Sequence, residues 1–154
     1  MMGAGEAVLL DTGVLVYATL EGDRRHRVAR EVVEGRSRWV AGCRLCVGAQ
    51  SLGELWASLT GRRVEPPDTP EVARRKIGAL AGLAQLTVLA VDVAVVREAV
   101  RLCEQHHARR RRYHDMQLVA LMRCHGIRRI LTESEADFEG LEGIEVVNPF
   151  AEGE

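Results

Sequence analysis

Apolar residues mark the chain out in short runs of two kinds. AVLL at 7–10 is a continuous apolar stretch closed by Asp11, the pattern of a strand buried on both faces. Positions 46–49, 87–91 (TVLAV), 127–131 and 144–147 read as four further strands. Between them the period changes to that of a helix. A helical stretch over 13–20 is followed by His26, Ala29, Val32 and Val33, stopped by Gly35. Leu52, Leu55, Trp56 and Leu59 mark a helix from Ser51 to Gly61, and Pro66, Pro67 and Pro70 mark a loop. Val72, Lys76, Ala79, Leu80 and Leu83 continue as helix, and Val93, Val96, Val100 and Cys103 form another amphipathic one. Asp115 opens the last, with Leu118, Val119, Leu121 and Met122 before Gly126. Strands alternating with helices predict an α/β fold, a three-layer α/β/α sandwich around a central, mainly parallel sheet.

Size agrees with a single domain over 1–154. At 154 residues, 47% of them apolar, the chain buries enough surface to fold without metal or disulfide. No apolar run reaches the roughly 20 residues that span a bilayer, and the start MMGAGEAVLLD lacks a basic segment before a long apolar core. A cytoplasmic protein with no membrane association is expected. Reduced thiols are then expected at Cys43, Cys46, Cys103 and Cys124. The C-x-x-C of Cys43 and Cys46 with the C-x-x-H of Cys103 and His106 has zinc-ligand character, but Cys46 falls in CVGA and reads as a small hydrophobe in a strand.

The 21 basic and 22 acidic side chains nearly cancel, yet they are segregated. Lys76 is the only lysine, and the arginines cluster, most densely at Arg109, Arg110, Arg111 and Arg112. From Glu133 onward there are eight carboxylates and no basic residue. Clustered guanidinium forks suit phosphate oxygens, and equally a solvated helix face.

In a parallel α/β sheet, ligands bind beyond the carboxyl ends of the strands. Asp11 follows the first predicted strand, and Glu133, Glu135 and Asp137 follow the one ending near Leu131. Glu54 and Asp115 lie near predicted helix starts, which face the same edge. Carboxylates converging from distant sequence repel one another and call for hard divalent cations, chiefly Mg²⁺ or Mn²⁺, which commonly act on phosphate esters. Each acid also has a local structural use. Ser51 with Glu54, and Thr132 with Glu135, have capping-box spacing, and Asp115 suits the helix macrodipole. Asp11, straight after an apolar strand, gains nothing from burial and needs a partner.

These stretches resemble the PIN-domain family, in particular ribonuclease toxins of the VapC type. The matching segments are VLLDTGVLVYA with HRVAREVV, QSLGELWASL, YHDMQLVALMRCHGIRRILTESEADF and GIEVVNPF, in order over most of the chain, with gaps of 43, 61 and 22 residues between the acids. The resemblance implies a metal-binding and catalytic core of Asp11, Glu54, Asp115 and a fourth acid, Asp137 or in its place Glu135. Thr12 and Thr132 would orient carboxylates by hydrogen bonding. Many members carry Asp or Asn where this chain has Ser134, which bears on the outer metal site. The implied chemistry is Mg²⁺- or Mn²⁺-assisted hydrolysis of RNA phosphodiesters, with Arg109, Arg110, Arg111 and Arg112 contacting the RNA backbone and His114 near the proton transfer. It further implies an antitoxin partner and a homodimer, for which Leu52, Leu55, Trp56, Leu80 and Leu83 offer apolar faces. Three rival readings stand beside it. LLDTG suggests an aspartic protease, though such proteases are nearly all β. A dehalogenase-like phosphatase would use Asp11 as nucleophile, though the D-x-D or D-x-T spacing is absent. The third is a PIN-like binding module that no longer cleaves.

Overall fold

The computed structural model describes residues 5–151. Five strands, β1 (Ala7–Leu10), β2 (Arg44–Gly48), β3 (Leu86–Leu89), β4 (Arg129–Leu131) and β5 (Glu145–Val147), form one sheet in the order β3-β2-β1-β4-β5, and every pairing is parallel. Six α-helices fill the crossovers. They are α1 (Thr12–Thr19), α2 (His26–Val33), α3 (Ala49–Leu59), α4 (Pro70–Ala81), α5 (Val93–His106) and α6 (Arg112–Cys124). A 3-10 turn over Glu135–Phe138 lies between β4 and β5.

The pleat sorts the core into two. Val8 and Leu10 of β1 join Leu45, Val47 and Leu131 on the face covered by α1, α2, α3 and α4. Ala7 and Leu9 join Cys46 and Ile130 on the face covered by α5 and α6. A strand whose side chains are buried alternately above and below must be apolar at every position, which is why AVLL shows no alternation. The three layers expected from the alternating pattern are therefore present. No helix among the described residues is long and apolar enough to cross a membrane.

Several boundaries differ from the sequence pattern for identifiable reasons. β2 starts at Arg44, whose amide bonds the Glu6 carbonyl although its side chain is exposed. Ile127 is buried but follows directly on the turn at Gly126, which has φ 66°, and β4 begins pairing only at Arg129. α6 begins at Arg112, three residues before Asp115. On α5 the register of the apolar face is different. Val95, Ala99 and Leu102 are buried, whereas Val93, Val96 and Val100 face outward. α5 is apolar on two sides, and periodicity alone does not say which one meets the sheet. Of the apolar positions expected to serve a dimer, Leu55 and Leu80 are core residues and Leu52 and Leu83 pack against that core, leaving Trp56 exposed.

Candidate active site

The order of strands reverses at β1: the chain steps to β2 and β3 on one side, then crosses to β4 and β5 on the other. In such sheets the crevice lies where the direction changes, beyond the carboxyl ends of the two central strands. Asp11 and Thr132 occupy those ends. The Asp11 amide donates to the Leu131 carbonyl at 3.0 Å, extending the β1–β4 ladder by one bond.

Asp11 is the N-cap of α1, and both of its carboxylate oxygens are engaged. Oδ1 accepts the Thr12 amide at 2.7 Å, and Oδ2 accepts the Thr132 hydroxyl at 2.7 Å. Burial pushes the Asp11 carboxyl above its ordinary range. The Thr132 and Thr12 hydrogen bonds and the charge of Arg63 pull it down, and the charge of Asp137 pushes it up. Thr132 also accepts the Ser134 amide through its hydroxyl oxygen at 3.0 Å, so it does not cap Glu135.

Glu54 lies in the second turn of α3, which begins at Ala49 behind the N-cap Gly48. Ser51 is inside the helix with its hydroxyl buried and unbonded, so no capping box forms with Glu54. Instead Glu54 Oε2 accepts the hydroxyl of buried Thr12 at 2.8 Å. Thr12 thus touches Asp11 through its amide and Glu54 through its side chain.

Asp115 sits in the first turn of α6, half-buried, with Oδ2 3.0 Å from Arg112 Nη1. Burial again raises its carboxyl; Arg112 lowers it, and the charges of Asp137 and Asp11 raise it. Asp137 is exposed on the 3-10 turn, and its backbone carbonyl accepts from Arg112 Nη1. Of the two alternatives for the fourth acid, Asp137 is the one whose charge is felt at both Asp11 and Asp115. Glu135 is exposed on the same turn. Arg109, Arg110, Arg111 and His114 are exposed as well.

A second network adjoins the site and has little sequence signal. Tyr17 on α1 donates its hydroxyl to Glu133 Oε1 at 3.0 Å, and Arg25 holds the same carboxylate at 2.9 Å while its guanidinium lies 3.9 Å from the Tyr17 ring centre. Asp23 accepts from the other side of Arg25 at 2.9 and 3.0 Å. A tyrosine within an otherwise aliphatic buried helix is the one hint, since its hydroxyl needs a partner. The Arg63 guanidinium lies 5.7 Å from the centre of the same ring and contributes positive charge felt by Asp11.

Three mutually repelling carboxylates, Asp11 and Asp115 among them partly stripped of water, make an oxygen-only donor set whose chemistry suits Mg²⁺ or Mn²⁺ rather than a soft ion. Among the described residues, no group of three or more His, Cys, Asp and Glu side chains is drawn close enough to hold an ion by itself. The donor set fits such a cation in kind, and the counter-charge directly on Asp115 is a guanidinium.

Residues 8–143 match the family model of the PIN domain. Among solved structures the chain is similar to Mycobacterium tuberculosis VapC20, a Sarcin-Ricin loop cleaving toxin, with TM-score 0.59 and 22% identity over 80% of this chain and 86% of that one. It is similar to a toxin-antitoxin complex from Klebsiella pneumoniae with TM-score 0.61 and 16% identity, over 93% and 98% of the two chains. For VapBC-1 from nontypeable Haemophilus influenzae the TM-score is 0.65 at 14% identity, over 93% and 98%. No curated protein matches the sequence. At these identities the structural likeness establishes the fold.

Proposed function

Because the chain belongs to the PIN-domain family, we propose that it is a Mg²⁺- or Mn²⁺-dependent endoribonuclease and the toxin of a toxin-antitoxin pair. The observation that carries this reading is the placement of Asp11 beyond the ends of the central strands, bonded to Thr132 and tied through Thr12 to Glu54, with Asp115 joined by Arg112 to the turn that carries Asp137. The Sarcin-Ricin loop cleavage named for the mycobacterial neighbour makes RNA the first substrate class to test. The toxin-antitoxin complexes among the neighbours are the ground for an antitoxin partner. A homodimer in the cytoplasm belongs to the same reading.

In it, Asp11, Glu54, Asp115 and Asp137 would hold the cation, which would supply positive charge to a phosphate oxygen and to a water nucleophile. Thr132 and Thr12 fix the carboxylates of Asp11 and Glu54, so that few side chains must be ordered when the cation and the phosphodiester arrive. Arg109, Arg110 and Arg111, exposed beside the start of α6, are placed to meet the RNA backbone.

Cleavage of a single-stranded RNA panel with Mg²⁺ or Mn²⁺, with chelator, and with Asp11→Asn and Asp115→Asn tests the proposal. Metal-dependent cleavage lost in both variants, with folding retained, supports it. The alternative is a PIN-like binding module without activity, favoured by the arginine on Asp115 and by Ser134. A folded, metal-binding or partner-binding chain that leaves every RNA intact would select that alternative.

A further inference from the structure

The four consecutive arginines do not share one environment. Arg109, Arg110 and Arg111 are exposed, whereas Arg112, the first residue of α6, is half-buried and turned onto the acidic site. One of its terminal nitrogens, Nη1, donates both to Asp115 Oδ2 at 3.0 Å and to the backbone carbonyl of Asp137. A single guanidinium therefore joins α6 to the 3-10 turn at the two acidic residues. With side-chain exposures of 33% for Arg112 and 24% for Asp115, this contact is shielded more than an ordinary surface pair.

Two consequences of that placement oppose one another. The contact draws the turn carrying Asp137 toward α6, which would help assemble a cation site. It also puts a permanent positive charge against one of the ligands, and a guanidinium does not lose its proton at any physiological pH. An anionic site whose charge is already balanced in part binds a second cation less well, because the newcomer must displace or sit beside the first. The like-charge repulsion among Asp11, Asp115 and Asp137 is what either cation relieves.

We propose that Arg112 is an internal counter-ion that competes with the divalent cation for the Asp115 side of the acidic site, so that metal binding requires the guanidinium to leave Asp115. This rests on the metal-dependent reading above and assigns Arg112 a task different from that of the three arginines before it. It makes Arg112 a residue that sets the metal concentration at which the site fills.

The test is calorimetric titration of Mn²⁺ into the full chain and into Arg112→Ala, Arg112→Gln and Asp115→Asn, each checked for folding by circular dichroism. Arg112→Gln removes the charge while keeping a donor for the Asp137 carbonyl, and guards against a truncation that loosens the turn. Removing one competing charge-assisted contact is expected to tighten Mn²⁺ binding about tenfold in Arg112→Gln. The gain should vanish when Asp115→Asn is added. Unchanged or weaker binding in Arg112→Gln would overturn the inference and make Arg112 a staple for the turn, leaving the metal-dependent reading intact. If no protein of the set binds Mn²⁺ and none cleaves RNA with it, both the inference and the reading fall.

Discussion

The Thr132 hydroxyl lies 2.7 Å from Asp11 Oδ2, across 121 residues of chain, and joins the ends of the two central strands through their side chains. Thr132 is completely buried, and the bond is the largest influence opposing the effect of burial on the Asp11 carboxyl. Thr132→Val keeps the shape and removes both this bond and the acceptor for the Ser134 amide. Loss of a hydrogen bond to a charged group should lower stability by about 1.5–3 kcal/mol, read in a denaturant titration. The acid limb of the metal-dependent cleavage profile should move to higher pH, because Asp11 then loses its proton less readily.

Asp11 also affects stability against pH. Its carboxyl is raised in the folded chain, so keeping it ionised opposes folding. The folded state is relatively favoured below the unfolded carboxyl's range, and that advantage is lost as pH rises through the raised folded value. Asn offers one acceptor oxygen in place of the two that Asp11 engages, so Asp11→Asn carries a pH-independent loss; on top of it, its melting temperature relative to the parent should rise with pH through the raised folded value, by roughly 2–4 °C for each kcal/mol relieved. Thermal melts in chelator should show this relative gain disappearing as pH falls below the ordinary carboxylate range. A melting difference between the two proteins that does not change with pH would contradict the assignment.

Ser51 gives a prediction without any charge. Its side chain is fully buried within α3 and its hydroxyl has no partner. Burying an unbonded hydroxyl is unfavourable, and alanine is the better helix former. Ser51→Ala should raise stability by about 1 kcal/mol and leave the cation affinity unchanged, which denaturant titration and calorimetry would show.

Tyr17, Arg25 and Glu133 form a unit beside Thr132. Tyr17→Phe removes the bond to Glu133 and should reduce stability by about 1 kcal/mol. Glu133→Gln should cost less than Tyr17→Phe, since its amide oxygen still accepts from the tyrosine and Arg25 retains Asp23. A double-mutant cycle on the two positions measures the coupling.

How far the sequence foretold this arrangement depends on whether a contact is local. β1 was readable because an apolar run stops at an acid, and α2 because Gly35 ends it. Pro70, read as part of a loop, is instead the first residue of α4 behind its N-cap Thr69, since proline at that position gives up no helical hydrogen bond. Asp11 stood out for the same reason as β1. Arg44 belongs to a strand through its backbone alone, and its charge conceals that. The pairing of Thr12 with Glu54 arises where α1 crosses α3, and no local pattern encodes a crossing. Ser51 and Glu54 have the spacing of a cap but lie inside a helix that starts at the end of β2. The pairing of Arg112 with Asp115 was open to inspection as an i,i+3 contact on one helix, yet a run of four arginines draws attention to the run as a whole.

Placing β1 at the middle of the sheet has a dynamic consequence. Its amides are shared between β2 and β4, so exposing them to solvent requires dismantling the sheet, and their hydrogen exchange should be limited by global unfolding. The turn that carries Asp137 has no strand pairing of its own and should exchange through local opening. The acidic cluster would then combine one stationary carboxylate with one that arrives on a breathing segment, giving the site a fixed jaw and a moving one.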